Sequence, residues 1–163
     1  MNSLSIGHSR ELTRRGVLRL AAAALVVPAS SAFGQSPGIL VHKDPNCGCC
    51  TCWVQHLKAA GFAVRVEEAA DLEAVRKRLG VPEDLAACHT AEFAGYIIEG
   101  HVPALALRKL LAERPRAAGL AVPGMPAGSP GMEGGVPQKY EVVLFGATGR
   151  RPFMRFVGSE IAS

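Results

Sequence analysis

Four cysteines fall within six residues, Cys47-Gly48-Cys49-Cys50-Thr51-Cys52, directly after a short apolar run and directly before a helical pattern. Neighbouring side chains on a turn point apart, and a relaxed disulfide needs Cβ atoms about 3.5 to 4.5 Å from each other. These thiols therefore cannot all pair among themselves, but they can converge on a soft metal ion. Cys88 makes the total five, so at least one sulfur is unpaired or several are held by metal.

The N-terminal segment reads as an address. Thr13-Arg14-Arg15-Gly16-Val17-Leu18 is a twin-arginine pattern, followed by an apolar stretch from Leu20 to Val27 and the small residues Ala29-Ser30-Ser31-Ala32. The apolar stretch is far short of the roughly 20 residues that a spanning helix needs. Residues 1–34 are expected to be a Tat-type signal peptide and 35–163 a single exported domain in the periplasm, with no stable membrane span after cleavage. Cleavage removes four of the 18 basic residues (Arg10, Arg14, Arg15, Arg19) and one of the 14 acids (Glu11), leaving 14 against 13 and a net charge of +1. Without a basic stripe interleaved with aromatics, nucleic acid is not an expected partner. In an oxidising compartment, a solvent-facing dithiol is oxidised unless something reduces or coordinates it.

Along the exported part, Ile39 to Lys43 reads as a buried strand stopped by Asp44-Pro45-Asn46. Trp53, Val54, Leu57 and Ala60 then recur at helical spacing up to Gly61. Phe62 to Glu67 reads as a second strand, and Asp71 caps a second helix carrying Leu72, Val75 and Leu79. One or two helical turns at Pro82 to Ala87 lead to Cys88-His89, and a single strand is expected at Phe93 to Glu99. A helix with Leu105, Leu107, Leu110 and Leu111 on its apolar face follows Gly100-His101-Val102-Pro103. After a proline- and glycine-rich loop from Val122 to Pro137, Tyr140–Phe145 and Phe153–Val157 flank a hairpin turn at Ala147-Thr148-Gly149. The class is α/β, and the alternation matches a thioredoxin-like plan: a mixed sheet, flanking helices and a C-terminal β-hairpin. The helix N-terminus at the cysteine motif favours thiolate over thiol, which serves redox exchange and metal binding equally well.

Cys47-x-x-Cys50 is a redox dithiol spacing, but an oxidoreductase needs only an attacking and a resolving sulfur, so Cys49 goes unexplained on that reading. Thiolates and thioethers select Cu(I), while thiolates also bind zinc or iron–sulfur clusters. Met125 and Met132 lie in the glycine- and proline-rich loop, which offers little regular core face for a methionine to fill; thioether ligation there points to copper rather than zinc. Met154, in an expected strand, reads as packing. Cys88-His89 supplies a soft and a borderline ligand side by side, and competes with the plain reading of a buried cysteine beside a surface histidine. His101 is a weaker candidate, His42 and His56 are expected to be structural, and Cys52 is expected to be a small buried thiol on the first helical turn. Glu67-Glu68 and Glu83-Asp84 read as solvated surface and a helix start.

Taken together, Lys43-Asp44-Pro45-Asn46-Cys47-Gly48-Cys49-Cys50, Trp53-Val54-Gln55-His56-Leu57, Cys88-His89-Thr90, Gly95 through Pro103, Gly119 through Pro126 and Gly128 through Glu133 resemble the CopG-type family of exported proteins associated with bacterial copper resistance. The resemblance implies a thioredoxin-like fold, copper bound through clustered cysteines, and periplasmic copper handling that extends to Cu(I)/Cu(II) interconversion, a copper oxidoreductase activity. It implies a ligand set of Cys47, Cys49, Cys50, Cys88, His89, Met125 and Met132 holding one or more Cu(I) ions. Implied partners are copper ions and other periplasmic copper-resistance proteins. Cys52 departs from the family pattern. The competing readings are a thiol-disulfide oxidoreductase using Cys47 and Cys50 without stable metal, and a passive zinc or iron–sulfur module.

Overall fold

In the computed structural model, which describes residues 37–162, the first apolar run forms strand β1 (Ile39–Lys43). It lies between β2 (Val64–Glu68), parallel to it, and β3 (His89–Phe93), antiparallel to it. Ile39 and Val41 point into the main core, while Leu40 on the opposite face is half-buried, so the apolar run serves mainly one face. The expected signal segment, residues 1–34, lies outside the described residues.

Helix α1 (Gly48–Ala59) starts at the cysteine motif. Cys47 occupies the N-cap, where its sulfur accepts the Cys50 N–H at 3.3 Å. Cys50, Trp53, Val54 and Leu57 form one buried stripe. Cys52 is exposed, correcting the buried-thiol expectation: at about 100° per residue it faces away from the stripe that Cys50 and Trp53 define. Helix α2 (Leu72–Leu79) is capped by the Asp71 carboxylate, which accepts the Ala74 N–H at 2.9 Å, and buries only Val75. A single 3-10 turn at Glu83–Leu85 carries the chain to Cys88.

The expected single strand at 93–99 is two strands. β3 turns back through Ala94 and Gly95, with φ of 53° and 87°, into β4 (Tyr96–Glu99), pairing Phe93 with Tyr96 and Thr90 with Glu99. Two positive-φ residues match the right-handed strand twist and close the tightest hairpin. Helix α3 (Ala104–Glu113) buries Ala104, Ala106, Leu107 and Leu110, while Leu105 is 47% exposed. The inward stripe thus carries the expected Leu107 and Leu110, with Leu111 packed at its edge, but is completed by alanines where Leu105 was expected.

Short β5 (Gly119–Ala121), absent from the sequence reading, pairs parallel with β4 and antiparallel with β6 (Lys139–Gly146). β6 and β7 (Gly149–Val157) form the expected C-terminal hairpin, with a register slip between Val142 and Val143 where Pro152, which lacks an N–H, enters the ladder. Two-residue β8 (Glu160–Ile161) completes an open eight-stranded mixed sheet of order β2-β1-β3-β4-β5-β6-β7-β8. The main core joins Trp53 and Leu57 of α1 and Leu107 and Leu110 of α3 to Ile39, Val41, Phe93, Ile98, Leu120, Val142 and Phe156. Among the described residues, no helix is long and apolar enough to cross a membrane.

Candidate metal centre

The first turn of α1 faces the start of β3, and the two bring four cysteines together. Cys47 and Cys50 are joined by a disulfide, with Cα atoms 5.4 Å apart. The Cys49 sulfur lies 3.5 Å from the Cys47 sulfur and 3.9 Å from the Cys88 sulfur, and the Cys50 sulfur lies 3.4 Å from the Cys88 carbonyl oxygen. Cys47, Cys49, Cys50 and Cys88 form one group able to hold a metal ion, and Cys88, His89 and His101 form a second. Cys88 belongs to both.

His101, ranked low from sequence, is the clearest addition to the site. Its Nε2 lies 2.9 Å from the Cys88 sulfur, and its Nδ1 lies 2.7 Å from the Pro130 carbonyl oxygen. A carbonyl can only accept, so Nδ1 carries the proton and Nε2 turns its lone pair towards Cys88. Metal-ligating histidines are oriented in this way, by a carbonyl or carboxylate on the far ring nitrogen. The hairpin explains the meeting: continuing the register of Thr90 against Glu99 outward sets His89 against Gly100, whose N–H reaches the His89 carbonyl at 3.0 Å, and then Cys88 against His101. Reading Ala94-Gly95 as a turn would have found it.

His89 is fully buried. Its ring packs 4.2 Å from Trp53 and 5.1 Å from His101, and its Nδ1 lies 3.3 Å from the Cys88 sulfur. Its Nε2 is a buried nitrogen with no hydrogen-bond partner among the described residues. An orphaned nitrogen beside clustered sulfurs fits a thiophilic metal with imidazole tolerance. Trp53, whose N–H donates to the Val102 carbonyl at 2.9 Å, ties α1 to the strand-to-helix link that carries His101.

Burial pushes the Cys88 thiol up to about 12, with the nearby Cys49 adding to the rise, so without metal it is protonated at neutral pH and a bound cation displaces the proton. Burial, then His101, holds His89 down at about 3, and burial also lowers His101. Below the ordinary histidine value near 6.5, the unfolded chain takes up protons that the folded site refuses. This contribution to stability is complete above that value and is lost on acidification towards about 3. The metal-free protein is therefore expected to lose roughly 2 kcal/mol through His89 between pH 7 and 5, with His101 acting in the same direction. Urea unfolding at both pH values checks this, and His89→Gln should flatten the slope.

The expected methionines are placed unevenly. The loop between β5 and β6 folds onto the site: a Cβ on Gly131 would stand 2.6 Å from the Cys49 carbonyl oxygen and 3.2 Å from His101 Nδ1. Met132, half-buried, follows directly, whereas Met125 is 54% exposed. His42 and His56 are structural, as expected: His42 lies between Glu92 at 3.0 Å and Glu67 at 3.7 Å, and His56 Nε2 accepts the Ala104 N–H at the start of α3.

A mixed α/β chain with a cysteine cluster that could bind a metal ion defines a class of candidate metal-site proteins. Two solved structures of a copper resistance protein copG are similar to it. Form 1 is 46% identical, covering 76% of this chain and 99% of that one, and form 2 is 47% identical, covering 74% and 98%, each with a TM-score of 0.70. A family model described as "Protein of unknown function, DUF411" matches residues 85–132, and no curated protein matches. The chain belongs to the CopG-type copper-resistance family. That membership and the cysteine cluster fit copper handling.

Proposed function

We propose that this chain is a periplasmic copper-handling protein that holds Cu(I) through the thiolates of Cys47, Cys49, Cys50 and Cys88. His89 and His101 complete the Cys88 side, and Met132 and Met125 come from the covering loop. The observation that carries the reading is the placing of Cys88, shared between a four-sulfur group and a two-histidine group. A thiolate at that position can bridge two ions, and sulfur donors favour Cu(I) over harder cations. Interconversion of Cu(I) and Cu(II) and action beside other copper-resistance proteins belong to the same proposal. Export rests on the twin-arginine pattern near Arg14 and Arg15. The fold is read as thioredoxin-like, supported by the order β2-β1-β3-β4 with β1 and β2 parallel and the cysteine motif opening α1.

The Cys47–Cys50 disulfide favours a second reading, a thiol-disulfide oxidoreductase without stable metal. Titrating the reduced, exported domain with Cu(I) under nitrogen separates the two. Tight binding that is lost in Cys49→Ser supports the copper reading. A reduced chain that stays empty, yet reduces insulin disulfides in Cys49→Ser but not in Cys50→Ser, supports the other. Met132→Leu should weaken Cu(I) about tenfold while leaving Zn(II) affinity unchanged; equal loss for both metals removes the thioether from the ligand set.

A further inference from the structure

The segment that presents Cys88 and His89 to the site hangs from one carboxylate. Glu99 of β4 is fully buried; its Oε1 accepts the Ala87 N–H at 2.7 Å and the Arg76 Nε–H at 3.0 Å, and its Oε2 accepts the Thr90 hydroxyl at 2.5 Å. Arg76 reaches in from α2 and also donates to the Ala87 carbonyl. Both backbone groups of Ala87 are therefore bonded to one ion pair on one side of Cys88, and the Thr90 side chain is bonded to it on the other. The Glu99 carbonyl in turn accepts the Val122 N–H at 3.0 Å, where the covering loop begins.

Burying a carboxylate and a guanidinium carries a large desolvation penalty, and an apolar pair of the same volume would join α2 to β4 at least as firmly. What charged, directional bonds add is a fixed geometry. We propose that Glu99 and Arg76 are positioning residues for Cys88. They clamp the backbone on either side so that its sulfur is already 2.9 Å from His101 Nε2 and 3.9 Å from the Cys49 sulfur before a metal ion arrives. Ordering cost is then met during folding rather than at binding, which raises affinity without adding a ligand. The inference rests on the reading of Cys88 as a copper ligand.

A double-mutant cycle on the reduced, exported chain tests it, with Cu(I) delivered in competition with bicinchoninate under nitrogen. Glu99→Gln, and the milder Thr90→Val, are each expected to weaken Cu(I) about tenfold and to shift the near-ultraviolet sulfur-to-copper absorption. In a Cys88→Ser background, which removes the positioned thiolate, the same changes should cost clearly less, leaving only their effect through His89. Equal weakening in both backgrounds, or none in either, overturns the positioning role. Wild-type affinity in Cys88→Ser itself, or no Cu(I) uptake by the parent chain, overturns the copper reading of Cys88 and the inference with it, so the two failures are read from different arms. If Glu99→Gln does not fold, Thr90→Val in the two backgrounds makes the same comparison.

Discussion

Reducing the Cys47–Cys50 bridge is expected to tighten Cu(I) binding by at least about a hundredfold. Two sulfurs bonded to each other offer no thiolate, so the oxidised site loses two of its four cysteine donors and keeps Cys49 and Cys88 beside the two histidines and the proposed methionines. Cys52 cannot substitute, because it is exposed on the far side of α1. Competition titrations of the air-oxidised and reduced chains measure the difference directly. Equal affinity for both would mean that Cys47 and Cys50 are not ligands. Since thiolates must lose protons to bind, and Cys88 rests near 12, uptake by the reduced chain should also release protons, seen as buffer-dependent heats in calorimetry.

Gly131→Ala is the second large effect expected. Gly131 has a φ of +89°, and an added methyl would stand 2.6 Å from the Cys49 carbonyl oxygen and 2.9 Å from the Trp53 nitrogen. Both are backbone atoms of α1, which cannot move aside without disturbing the helix. The loop must lift instead, drawing the Pro130 carbonyl away from His101 Nδ1. Conformational strain and overpacking together should lower stability by roughly 2 to 4 kcal/mol, with weaker copper binding as His101 loses its orientation. Gly134→Ala provides the control, since Gly134 has a φ of +107° but nothing within 4 Å of its added methyl. It should show the backbone strain alone and leave copper binding intact. Denaturant unfolding and Cu(I) titration of both variants check the pair, and equal losses would show that the loop does not brace the site.

Much of this arrangement is legible from residue order because its signals are local. The β1 run, the Asp71 cap, the helical stripe of Trp53, Val54 and Leu57, and the C-terminal hairpin each follow from patterns only a few residues long. Of the four converging cysteines, three are close neighbours in sequence, whereas Cys88, which sits just before β3, is joined to them only by the family resemblance, because β3 itself was not read as a strand. What escaped depends on longer-range pairing. Missing the turn at Ala94 hid the register that carries His101 to Cys88, and β5 is too short to show any periodicity. Leu105 and Cys52 were misplaced for a shared reason: residue type suggested burial, while helix rotation set by stronger neighbours turned them outward.

The donors come from widely spaced stretches of chain, with Cys49 and Cys88 separated by 39 residues and His101 steadied by a carbonyl 29 residues further on. No short fragment can reproduce this pocket, and it closes only once long-range strand pairing is complete. A captured ion consequently behaves as a rivet set late in assembly. Any ligation absent from the folding barrier slows spontaneous opening rather than hastening closure, so the loaded form should outlast the empty one against proteases chiefly through its lifetime.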